Sequence, residues 1–353
     1  MKVAIVHDSL KEFAGAERVL ASLIEIWPKA DIYTPIINKK VLKLLPKANY
    51  KELFLGKIPW LNKKCAFLQP LAPLVWKSLS LRNYDLIISS SSFGLSNTIN
   101  TKNIPHIAYI HRPPKNLYGL SYKWTLQKLI PYSFFIKKYY ESHLKKEKYV
   151  LTSSKHMRKL IKNLFNIKAK VIYPPIKIPK TINKKPGKYF VTASRLDKEK
   201  RVDLAIRACN KLKLTLKVLG TGKELNKLKK IAGPTIEFLG FLDKEKNKIY
   251  QNAKAFIFCA KNEDFGMAPL EATANGLPVI AHFSGGLKET VINNKTGLFY
   301  YQHTVKSLAN AIKKINPKKF NPKFLHQYSQ KFSEKKFKKE FKNYALTRIN
   351  SSI

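Results

Sequence analysis

Glu263 and Glu271 frame a short run, Asp264 to Leu270, that follows the apolar stretch Ala255–Phe258 and leads into the helix-forming Ala272–Gly276. Pro269 suits the first turn of a helix, because that turn does not need the missing N–H. The amides of Gly266, Met267 and Ala268 are therefore expected at a helix N terminus, pointing outward, where such groups bind hydroxyls or anions. Glu271 is expected in the first helical turn, with its carboxylate offered to a vicinal diol, and Glu263 on the preceding loop. An acidic turn that only complements the helix dipole would explain Glu271 but neither Glu263 nor Gly266.

A second group lies where the apolar stretch Tyr189–Ala193 runs into a loop carrying Arg195 and Lys200. Two cations at the carboxyl edge of a sheet can clamp a diphosphate and neutralise the charge that builds as it leaves, in place of a metal ion. Surface salt bridging is the competing account. Gly15 follows the first apolar stretch and precedes a helix, where backbone approaches a phosphate closely, although a plain loop turn needs glycine equally. Neither the dinucleotide fingerprint nor the P-loop pattern occurs. His111 comes directly after the apolar Ile107–Ile110 and titrates near neutrality, which suits proton relay or a hydrogen bond to a hydroxyl. A lone histidine is more often structural, and the strand-end position is what favours function here. Ser284, Gly285 and Gly286 form either another close-approach loop or an ordinary turn.

The elements that must hold these residues alternate strand and helix, the pattern of parallel sheets covered on both faces. Strands are predicted at Lys2–Val6, Asp31–Thr34, Asp85–Ser89, Ile107–Ile110, Tyr149–Thr152 and Lys170–Tyr173. After a proline- and lysine-rich stretch the alternation restarts, with strands at Tyr189–Ala193, Thr215–Leu219, Thr235–Phe238, Ala255–Phe258 and Val279–Ala281. Helices are expected at about Ala16–Ile26, from Ser154, and near 201–212, 223–232, 243–252 and 269–275. The reading is α/β, two doubly wound domains facing across a cleft: residues 1–173, a linker at 174–187, and 188–320. A helical tail, 321–353, carries Phe332, Phe337, Phe341 and Tyr344 on one apolar face and is placed to pack back on the first domain. Ligands of such sheets bind beyond the carboxyl ends of the strands.

Of 353 residues 44% are hydrophobic, enough for a core of this size, and the formal net charge is +45. That charge draws anionic partners: nucleic acid, phosphorylated ligands or acidic membrane. Only eight of the 67 cations are arginine, which weakens a nucleic-acid reading, because base and phosphate forks favour Arg geometry. A basic polyanion-binding protein remains an alternative, as does plain compositional bias. Cys65, Cys209 and Cys259 show no metal or redox spacing and fit a reducing cytoplasm. No signal-peptide core and no membrane-spanning run is expected. Tyr122–Lys148 interleaves Trp124, Leu126, Leu129, Ile130, Phe134, Phe135, Ile136, Tyr139 and Tyr140 with lysines, the makings either of an interfacial helix on an anionic leaflet or of a core helix with solvated lysines.

In order along the chain these segments resemble the retaining family 4 glycosyltransferases, enzymes of the two-domain GT-B fold. The resemblance rests on Gly15 to Arg18, Arg195 with Lys200, the spaced pair Glu263 and Glu271, and the segments Gly276–Ala281 and Gly285–Glu289. It implies a nucleotide-sugar donor held chiefly by the second domain, and transfer of a hexose with retention to a lipid-linked or saccharide acceptor. By resemblance Arg195 and Lys200 grip the diphosphate and Glu271 binds the donor ribose. Glu263 and the backbone of Phe265, Gly266 and Met267 take the hexose hydroxyls, Gly15 approaches the phosphates, and His111 lies near sugar and acceptor. No metal and no cofactor is implied beyond the donor. The Glu-Asp-Phe-Gly form looks like that of mannosyltransferases, which makes GDP-mannose the first donor. Ala14 and Arg112 depart from the family pattern, in the first loop and on the acceptor side. A cytoplasmic enzyme, peripheral on the inner face of the membrane, follows; the same fold also serves nucleotide-sugar epimerases and hydrolases, which stand as the alternative.

Overall fold

The computed structural model describes residues 1–58, 68–101, 103–120, 132–182, 185–243 and 245–350. Cys65, Tyr122, Trp124, Leu126, Leu129 and Ile130 lie outside them. The chain divides into two compact units, Met1–Pro175 with Lys335–Ile353, and Ile176–Glu334.

In the first unit the described strands are β1 (Val3–His7), β2 (Asp31–Thr34), β3 (Asn49–Glu52), β4 (Leu86–Ser91), β5 (His106–Ile110), β6 (Tyr149–Thr152) and β7 (Lys170–Val171). They pair in parallel in the order β3-β2-β1-β4-β5-β6-β7. Helices α1 (Gly15–Ile26), α2 (Lys39–Leu42), α3 (Leu68–Lys77), α4 (Tyr132–Leu144) and α5 (Lys155–Phe165) lie between them in sequence. A sheet buried on both faces needs apolar residues at consecutive positions, and alternate residues then feed opposite cores. Ala4, Val6, Ile87, Ala108 and Ile110 enter one core; Val3, Ile5, Leu86, Ile88, Ile107 and Tyr109 enter the other. Helix α1 lays Val19, Leu20, Leu23 and Ile24 on the second of these. Ser154 caps α5 by accepting the Met157 amide at 3.0 Å, and Asn166 ends it in a left-handed conformation.

The second unit repeats the plan with β8 (Tyr189–Ala193), β9 (Leu216–Leu219), β10 (Ile236–Gly240), β11 (Ala253–Phe258), β12 (Val279–His282) and β13 (Gly297–Tyr300), parallel in the order β10-β9-β8-β11-β12-β13. Its helices are α6 (Val202–Leu212), α7 (Leu225–Lys230), α8 (Lys246–Gln251), α9 (Met267–Ala274), α10 (Leu287–Thr290), α11 (Val305–Lys314) and α12 (Pro322–Ser329). Cys209 and Cys259 are buried, and burial pushes both thiols up to about 12, the condition of inert packing groups.

Helix α13 (Glu334–Asn350) starts at the end of the second unit and completes the first. Phe337, Phe341 and Tyr344 are buried in the core that α1 covers, with Phe341 edge-on to Trp27. Phe332 does not share that face: it packs against Phe265 in the second unit. Helix α4, the described part of Tyr122–Lys148 that is helical, divides its apolar residues between core and surface. Ile136 and Tyr140 are core residues, whereas Phe134 and Phe135 are 64% and 67% exposed. Among the described residues no helix is long and apolar enough to cross a membrane.

Candidate functional site

In the second unit the strand order reverses between β8 and β11, and loops leaving the carboxyl ends of such neighbours diverge and leave a crevice. The loop after β8 carries Arg195 and, at the end of a 3-10 turn, Lys200; the loop after β11 carries Glu263. The two loops meet. Lys200 Nζ donates to Glu263 Oε1 at 2.9 Å and Oε2 at 2.8 Å, with both side chains about four-fifths buried. An ammonium this far from water is tolerable because it is paired. Arg195 differs: its side chain is 54% exposed, and its Nη1 lies 3.2 Å from Asp197 Oδ2. Each of the two expected diphosphate-binding cations thus meets an acid.

Close backbone packing fixes both loops. A Cβ on Gly220 would lie 1.9 Å from the Ser194 carbonyl oxygen, and one on Gly222 2.5 Å from that of Leu196. Only glycine lets the β9 loop press against the Arg195 loop in this way, and the Leu196 amide donates to the Thr221 carbonyl there. The Gly286 amide donates to the Glu263 carbonyl at 2.7 Å, and the Asn262 amide to Ser284 Oγ at 2.9 Å. The close approach expected at Gly285 and Gly286 is therefore made to the protein's own Glu263 loop.

Gly266 opens α9 in the left-handed region at φ 98°. Phe265 buries its ring against Phe332, so this stretch presents backbone rather than side chain. The first amides of a helix have no partner within it, and in α9 those positions are held by Met267 and Ala268. Glu271 lies in the second turn of α9, one turn later than expected, because the helix starts at Met267 rather than at Pro269. Its Oε2 accepts from Lys246 Nζ of α8 at 2.7 Å, in a pair more buried than that of Glu263.

The first unit holds Gly15 and His111, and it joins them through polar side chains. Gly15 is the first residue of α1, preceded by the extended Ala14. Two residues on, Glu17 Oε1 lies 3.4 Å from His7 Nε2; His7 Nδ1 is 3.0 Å from Ser90 Oγ, and Ser90 Oγ is 2.9 Å from His111 Nε2. Burial, with His7 close by, pushes His111 down to about 3, so the ring is neutral at physiological pH. Beside it, Asp8 accepts the amides of Ser92, Phe93, Gly94 and Ser96 and pins the loop after β4.

The site residues that the sequence did not single out are Lys246, Asp197, Gly220 and Gly222, and in the first unit Glu17, His7, Ser90 and Asp8. The glycine pair after β9 was a readable turn signal; Lys246 is one lysine among many. Among the described residues no group of three or more His, Cys, Asp and Glu side chains comes together as a metal site would.

Two parallel doubly wound units, with charged loops at the second unit's order reversal, define a two-unit α/β class of protein, in whose sheets ligands bind at such crevices. Residues 13–178 match the family model described as Glycosyltransferase Family 4, and residues 175–336 match that described as Glycosyl transferases group 1. The chain belongs to this family of glycosyltransferases, and its fold is GT-B. It is 38% identical over 100 residues to an alpha-1,3/1,6-mannosyltransferase, ALG2, of Dictyostelium discoideum, a stretch that is 27% of this chain and 24% of the relative. This chain spans 24–46% of the length of several curated relatives. Among solved structures it is similar to sucrose-phosphate synthase from Thermosynechococcus elongatus, with a TM-score of 0.77, 18% identity and coverage of 99% and 100% of the two chains. It is similar also to HepE of Anabaena in complex with UDP-glucose, with a TM-score of 0.74, 18% identity and coverage of 98% and 100%.

Proposed function

We propose that this protein transfers a hexose, mannose by preference, with retention of configuration, from a nucleoside-diphosphate sugar to a saccharide or lipid-linked acceptor. The observation that carries the reading is the Lys200–Glu263 pair at the carboxyl ends of β8 and β11, three residues ahead of the open N terminus of α9. An ammonium has three donors, of which two go to Glu263, and the third is left for a phosphate oxygen. Arg195 adds a planar fork for the same diphosphate. Glu271, held in place by Lys246, serves the ribose diol with its carboxylate. Glu263 and the backbone of Phe265, Gly266 and Met267 receive the hexose hydroxyls, Gly15 serves the phosphates, and His111 a sugar or acceptor hydroxyl.

In this reading catalysis is electrostatic. As the bond to the diphosphate breaks, Arg195 and Lys200 stabilise the departing charge, so no metal ion is called for. The acceptor enters on the same face and its proton passes to the leaving phosphate. The stretch shared with ALG2 favours mannose and GDP-mannose; the UDP-glucose bound to HepE is the reason to test uridine donors beside it. Exposed Phe134 and Phe135, with Lys137 and Lys138 beside them, support peripheral docking on an anionic, cytoplasmic leaflet.

The test is a thermal-shift screen of GDP-mannose, UDP-glucose and their relatives, followed by transfer assays and NMR of the product's anomeric centre. A true donor at about 100 times its Kd adds about 2.7 kcal/mol of stability. Free sugar or an epimer formed from the donor at full rate without acceptor would overturn the transfer reading. A Glu263→Gln protein with undiminished transfer would remove Glu263 from the site.

A further inference from the structure

We propose that Glu17, His7 and Ser90 form a hydrogen-bonded relay that holds His111 as its Nε2–H tautomer, and so makes Nδ1 the atom that His111 offers to a substrate hydroxyl. The three are positioning residues, and the inference rests on the role given to His111 above.

The relay is a product of strand register. In the β1–β4 pairing His7 lies opposite Ser90, and in the β4–β5 pairing Ser90 lies opposite Tyr109, two residues before His111. Val3 and Ile5, Leu86 and Ile88, and Ile107 and Tyr109 all feed one core, the one covered by α1. Since side chains alternate along a strand, His7, Ser90 and His111 are the next members of those three stripes. Three neighbouring apolar rows thus end, at the carboxyl edge of the sheet, in an imidazole, a hydroxyl and an imidazole. Helix α1 brings Glu17 to the same place in its first turn.

Hydrogen-bond accounting then fixes the protons. Glu17 Oε2 accepts the Ala14 amide at 2.7 Å, which orients the carboxylate, and Oε1 faces His7 Nε2. A carboxylate only accepts, so His7 carries a proton on Nε2, and as the neutral ring it presents a bare Nδ1. The Ser90 hydroxyl has one hydrogen and donates it to that Nδ1. The Ser90 oxygen is then the acceptor for His111, whose proton must sit on Nε2. Each of His7, Ser90 and Glu17 is buried, so water does not compete for these bonds. The ring of His111 is neutral at physiological pH and has a defined tautomer. Its Nδ1 makes no hydrogen bond to a described residue, and an unprotonated ring nitrogen accepts a hydrogen bond from a hydroxyl, which orients it.

The experiment is a long-range proton–nitrogen correlation spectrum of the full chain, labelled with 15N-histidine, at neutral pH. The His111 signals are those lost in His111→Gln. Protonated Nε2 and bare Nδ1 on His111 are expected; a proton on Nδ1 overturns the relay with no variant needed. In Ser90→Ala the single tautomer should give way to a mixture. With GDP-mannose, kcat should fall at least about tenfold, short of the 10²–10⁴ of a group that moves the proton itself, at unchanged donor KM. Ser90→Thr, which keeps the hydroxyl, should recover both. An unchanged tautomer and full kcat in Ser90→Ala overturn the proposal. A wild-type protein that turns over no nucleotide sugar counts against the proposed function, while its spectrum still decides the tautomer.

Discussion

The two units place their polar residues at the same point of the same topology, yet fill it with opposite chemistry. At the carboxyl edge of β1, β4 and β5 the groups are imidazoles and a hydroxyl, buried and linked by single protons. After β8 and β11 they are full charges, Lys200 on Glu263, Lys246 on Glu271 and the more exposed Arg195 on Asp197. A doubly wound sheet supplies a crevice and leaves the ligand to the loops. The first edge is suited to a neutral hydroxyl, for which ions would be a desolvation burden. The second is suited to an anion, whose charge can be exchanged for that of the resident acids.

The largest effect expected separates the units by stability. Phe341→Ala empties a fully buried position in the first unit and should cost about 3–5 kcal/mol there, read by urea denaturation followed with a probe in each unit. Donor binding by the second unit should persist at temperatures where the first has melted. A single coincident transition would blur the contrast. Next, Lys200→Ala should lower kcat by about 10²–10³-fold, the usual cost of losing one group that stabilises developing charge. The His111 spectrum should not move, since Lys200 and the relay belong to different units; a changed spectrum would show that the two edges are coupled.

The third effect is pH dependence. The folded value of His111 lies near 3 and its ordinary value is 6.5, so the unfolded chain binds the proton first as pH falls. The stability it contributes above pH 6.5 is therefore lost between 6.5 and about 3, at no more than about 1.4 kcal/mol per pH unit. Burial lowers His282 and His303 in the second unit as well, so the quantity to measure is the difference between wild type and His111→Gln, which should flatten the curve. The smallest effect is Lys246→Gln, expected to weaken donor binding by about 2–10-fold at constant kcat, because Lys246 acts only through Glu271 and an amide there still donates to its carboxylate, leaving a difference the size of one hydrogen bond. A loss in kcat instead would move Lys246 into the chemistry.

Much of this was legible in sequence for a simple reason: strands buried on both faces are unbroken apolar runs, and their ends mark the loops that bind. The strands missed were β3, whose Asn-Tyr-Lys-Glu lies at the sheet edge with no apolar signal, and β13, opened by Gly297. That glycine reads as a breaker but is required, since a Cβ there would meet the Val279 carbonyl at 2.0 Å. Glu263 and Lys200 were visible as types, but their mutual contact was not, because it depends on two loops 63 residues apart. The relay was hidden more deeply. Ser90 is one of four consecutive serines, and only the pairing of β1 with β4 selects it as the partner of His7.

Helix α13 has a consequence for synthesis. The second unit is one unbroken stretch, 176–334, and its last residue leaves the ribosome before Phe337, Phe341 and Tyr344 have appeared. The unit translated first is therefore the one completed last: its sheet must wait, with the patch destined for those three rings still wet, until the final helix has been made. A chain released ahead of Lys335 would expose that apolar surface to chaperones, although every residue of the second unit has been made.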